Sequence, residues 1–85
     1  MDMFYFTFGT SELYPFQGGW VVVIAPDKPT AIEAFQKVYP NRPGSEFYNA
    51  SDCYSSKEFE ETSMCHNGNL GYRCHDVIIF DDIKV

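Results

Sequence analysis

The chain is short of positive charge, of histidine and of long apolar runs. Six lysines and arginines stand against twelve aspartates and glutamates in 85 residues, a net charge of −6. So acidic a surface repels phosphate backbones, and no direct nucleic-acid binding is expected. No apolar stretch approaches the roughly 20 residues that a membrane-spanning helix needs, so no membrane association is expected. The opening "MDMFYFTFGT" has no basic region and starts directly in a strand pattern, so no signal peptide is expected either. With three cysteines, an odd number, and no export signal, the expected compartment is the cytoplasm of a host cell, with the thiols reduced. A Gly-x-Ser-x-Gly elbow, a phosphate loop and a metalloprotease helix are all missing, and the chain is expected not to be an enzyme and to carry no cofactor.

Aromatic side chains, by contrast, are abundant: eight Phe, six Tyr and one Trp. Each can bury roughly 150–250 Å². A single domain spanning 1–85 can therefore build its core without disulfides or metal, although a chain this short buries only roughly 60–65% of its unfolded surface.

In "MFYFTFG", Phe4, Phe6 and Phe8 alternate with Met3, Tyr5 and Thr7. This predicts a strand with bulk on both faces. After the irregular "GTSELYPFQGG", the β-branched run "WVVVIA" predicts a central strand at Trp20–Ala25. Asp27 suits an N-cap and Pro29 a first turn. Ile32, Phe35, Val38 and Tyr39 then recur at helical spacing and predict a helix over about 28–39. "NRPGSEFYNASDCY" reads as a polar loop. "SSKEFEETSM" reads as a second helix, with Ser55 and Glu58 in capping-box spacing. "CHDVIIF" reads as the last strand. The expected fold is α+β: a small antiparallel three-stranded sheet, order β-β-α-α-β, with two helices packed on one face. The other face, with Tyr5 and Trp20, is a candidate contact surface or homo-oligomer interface.

Three constellations compete for a functional role. Cys53, Cys65, Cys74 and His75 are residue types that ligate zinc, but their spacing lacks the knuckles that pre-organise such sites. Neighbours on a strand point to opposite faces, so Cys74 and His75 cannot both reach one ion from an extended segment. A thiol–imidazole pair would need its partners from separate segments. The third constellation is an anion pocket. Arg42 in "NRPGS" and Arg73 in "GYRCH" both sit in glycine-containing turns, with Asn41, Ser45, Asn69, Tyr72 and His75 placed to assist. On the plainer alternative Arg42 caps helix carbonyls and "HNGN" is a hairpin turn leading into the last strand.

The segments "FYFTFGTSELYPFQGGWVVV", "APDKPTAIEAF", "YPNRPGS" and "GNLGYRCHDVI" resemble a group of short proteins encoded by prophages and other mobile elements of gut-associated Gram-positive bacteria. The resemblance implies a small protein that binds and blocks a host factor. The first expectation is therefore an anti-defence inhibitor acting by protein–protein contact on a host protein. The alternative is a binder of a small anionic, nucleotide-like ligand through Arg42, Arg73 and His75.

Overall fold

The structure is a computed structural model and describes residues 1–41 and 49–82. Along the chain, β1 (Asp2–Thr7) and β2 (Trp20–Ala25) are followed by helix α1 (Lys28–Val38) and strand β3 (Asp52–Ser55). Two short helices, α2 (Ser56–Glu60) and α3 (Met64–Asn67), lead to β4 (Cys74–Ile79) and a 3-10 turn at Phe80–Asp82. The fold is α+β, as the sequence predicts, but the sheet is mixed and four-stranded, in the order β3-β1-β2-β4. β1 is antiparallel to β2 and to β3, whereas β4 runs parallel to β2.

The additional strand is β3, formed by the end of the stretch that reads as polar loop. Its four residues include one buried position, Cys53. It exists because β1 has a free edge: Phe6 pairs with Cys53 and Tyr5 with Tyr54. "SSKEFEETSM" also differs from expectation. It splits into α2, held by the predicted Ser55–Glu58 capping box, and α3. α1 begins as expected, with the Asp27 carboxylate accepting from Thr30 N–H at 2.9 Å.

The helices pack on opposite faces of the sheet, not on one. On the first face Phe4, Phe6 and Phe8 meet Val21, Val23 and Ile78 beneath Ala31, Ala34 and Phe35 of α1. On the second face Tyr5, Trp20 and Val22 lie under Phe59 of α2 and Met64 and Cys65 of α3. The reason is topological. β2, β3 and β4 are mutually parallel, so the chain makes two crossovers: β2 to β3 through α1, then back across the sheet to β4 through α2 and α3. Crossovers are right-handed almost without exception. Two crossovers of one hand that travel in opposite directions must use opposite faces. Tyr5 and Trp20, expected on an open face, are consequently covered: Tyr5 stacks on Phe59 with centroids 4.0 Å apart, and Trp20 meets the same ring edge-on. Among the described residues no helix is long and apolar enough to cross a membrane.

Candidate functional site

The sequence-predicted residues that gather together are Asn69, Tyr72, Arg73 and His75. They lie where the chain between α3 and β4 meets the loop joining β1 to β2. Asn69 and Tyr72 exchange two backbone hydrogen bonds, of 2.8 and 3.1 Å, around the pair Leu70–Gly71. Both central residues have positive φ, 54° at Leu70 and 84° at Gly71, the signature of a two-residue type I′ hairpin turn. The turn thus falls at Leu70–Gly71. The residues of "HNGN" instead finish α3 and its glycine cap, Gly68, whose N–H donates to Met64 O at 2.9 Å.

The polar side chains here serve the backbone. Asn69 Nδ2 donates to Phe8 O and Gly19 O, each at 3.0 Å, and ties the turn to the end of the β1–β2 hairpin. The Arg73 fork donates to His66 O (3.2 Å) and Cys65 O (3.0 Å), capping the last carbonyls of α3, and its guanidinium lies 5.7 Å from the Trp20 ring centre. An arginine so engaged offers few free donors to an incoming anion.

His75 owes its position to an irregularity. Trp20 pairs with Cys74 but Val21 pairs with Asp76, so the β2–β4 ladder slips by one residue between them. Such a bulge re-aims a side chain. His75 and Asp76, neighbours that a regular strand would send to opposite faces, both turn toward the α1 face. His75 stacks on Phe16 at 4.3 Å with planes 3° apart, and its Nε2 donates to Gly18 O at 3.0 Å. Asp76 Oδ2 accepts from the Tyr39 hydroxyl at 2.9 Å. Burial first, and then this carboxylate, push the Tyr39 pKa up to about 12. Gly18 and Gly19 make the close approach feasible. Both have positive φ, and a Cβ on Gly19 would collide with Arg73 O and the His75 ring.

The other predicted residues are dispersed. Arg42 and Ser45 lie outside the described residues. Asn41 has its Oδ1 buried with no hydrogen-bond partner among the described residues. Cys53 sits in the first-face core, where burial pushes its thiol up to about 12. Cys65 packs against the second face, its Sγ 3.1 Å from Thr62 O, and the exposed Cys74 places its Sγ 3.3 Å from Asp76 O. Among the described residues no group of three or more His, Cys, Asp or Glu could hold a metal ion.

Two features of this site are not legible in the motifs. Leu70 is 57% exposed and Tyr72 56%, so the turn presents an apolar and an aromatic side chain to solvent. Leu70 does so in the left-handed conformation, which costs a non-glycine residue roughly 1–2 kcal/mol. The signal was available in "NLGY", where a type I′ turn would ordinarily place Asn before the glycine. Comparison with protein-family models, curated proteins and solved structures found no match to this chain.

Proposed function

We propose that this chain is a non-enzymatic binding protein that blocks a partner protein by direct contact, with the Leu70–Tyr72 turn as a contact tip. The observation that carries this reading is Leu70. It holds a strained backbone conformation, its side chain is mostly exposed, and the fold draws little packing from it in return. Local conflict of this kind, without a structural benefit, is characteristic of binding surfaces. The turn is also stiff, because Asn69, Arg73 and His75 fasten its base to the backbone. A rigid tip loses little entropy on docking, and Tyr is among the residues that most often anchor interfaces. The resemblance to mobile-element proteins makes a host defence factor the first partner to test. The anionic-ligand alternative gains no support from the site, since Arg73 and Asn69 direct their donors to carbonyls.

Leu70→Asn separates the two roles of the position. Asn accepts the left-handed conformation, so the variant should be more stable than wild type by about 1 kcal/mol in urea unfolding. It should also lose the partner in quantitative pull-downs from host lysate. A variant that keeps every partner retained by the wild type would refute the contact tip.

A further inference from the structure

A second surface lies on the other side of β4. The register aligns Met3, Ile24 and Ile79 in one row across β1, β2 and β4, and Tyr5, Val22 and Val77 in the next. Both rows belong to the second face. The cover supplied by Phe59, Met64 and Cys65 sits over Tyr5, Trp20 and Val22. Beyond it, Met3 and Ile79 are each 41% exposed and Val77 55%, while Ile24 is half-buried. We infer that this open half-face is the seat for a basic, amphipathic α-helix of a partner protein.

The shape argues for a helix. Three adjacent strands span about 10 Å, the diameter of one helix. The edge of β4 argues against an added strand. Val77 N–H is already bonded at 2.9 Å to Asp76 Oδ1, and the other oxygen of that carboxylate is held by Tyr39. An edge N–H closed by its neighbour's side chain is a guard against strand addition. Charge argues for a basic partner. Asp2 pairs with Ala25 at the end of the sheet where Ile79 pairs with Ile24, and Asp81 and Asp82 follow directly, so three exposed carboxylates border the apolar rows. In a chain of net charge −6, a second copy would bring the same acids against these.

The test uses the full chain and a synthetic amphipathic helix with leucines along one face and lysines along the other, followed by titration calorimetry. A peptide of the same composition in scrambled order is the control. The designed helix should bind at least tenfold more tightly than the scrambled one, and Ile79→Glu and Val77→Glu should each weaken it at least tenfold. Both variants add negative charge, so attraction by charge alone would strengthen binding instead. Unchanged or tighter binding by these variants, or equal binding of both peptides, overturns the inference. So does a dimer in light scattering that Ile79→Glu dissolves, since a second copy would then occupy the face. Leu70→Asn should bind the helix as wild type does, so a failure here is distinguishable from a failure of the turn contact.

Discussion

The two faces of the sheet are built from the same kind of residue and finished differently. On the α1 face, Phe6, Phe8, Val21, Val23 and Phe35 are almost wholly buried, and Phe6 and Phe35 stack at 4.2 Å. An eleven-residue helix covers them. On the other face two helices of five and four residues cover part of the sheet and leave Met3, Val77 and Ile79 to solvent. Closing one face completely gives a small domain its stability. That leaves the second face, and the turn beside it, available for contact.

The sharpest way to break this contrast is to hollow out each face in turn. Phe35→Ala should cost about 3–5 kcal/mol in urea unfolding, enough to unfold much of a protein of this size. Phe59→Ala, beneath a shorter cover that can collapse, should fall at or below the low end of that range. If Phe59→Ala proved the more damaging, the stability would rest on the second face. A smaller effect is expected at the joint that holds the second cover in place. Ser55 Oγ accepts from Glu58 N–H at 3.2 Å and Glu58 Oε1 from Ser55 N–H at 2.9 Å, so Ser55→Ala should lower stability by about 1 kcal/mol.

Alkaline titration examines the first face alone. The folded-state pKa of Tyr39 lies above its usual value of 10.0, at about 12. The stability it contributes is therefore complete below pH 10 and is lost as the pH rises through about 12. Tyr39→Phe should flatten the decline in unfolding free energy across that window; an unchanged slope would mean that the Asp76 contact contributes nothing. The mildest probe is thiol labelling. Cys53, buried and pushed up to about 12, should react only on unfolding, whereas the exposed Cys74 should be alkylated in the native protein. Native-state labelling of Cys53, read by mass spectrometry, would show that the first face opens.

Most of the first face could be read from the sequence. The Phe4–Phe6–Phe8 alternation, the Trp20–Ala25 run, the Asp27 cap and the Ser55–Glu58 box are local patterns, and local patterns set local structure. β3 escaped because its four residues hold one clearly apolar buried position and gain strand character only by pairing with β1. Missing it also hid the second crossover, and with it the placement of helices on both faces. At the site, the association of Asn69, Tyr72, Arg73 and His75 was legible as a polar cluster in a turn. The direction of their hydrogen bonds was not, because it depends on Gly18, Gly19 and the β4 bulge, all contributed by pairing across distant parts of the chain.

The parallel pairing of β4 with β2 also bears on how the molecule is assembled. Between those strands the chain must pass through α1, β3, α2 and α3, so this is the ladder with the longest loop to close. Such non-local parallel pairing slows folding relative to a helical protein of equal size. The β1–β2 hairpin is the natural nucleus, and β4 docks late. Substitutions in β1 or β2 should slow refolding in stopped-flow measurements, while those in β4 should mainly hasten unfolding.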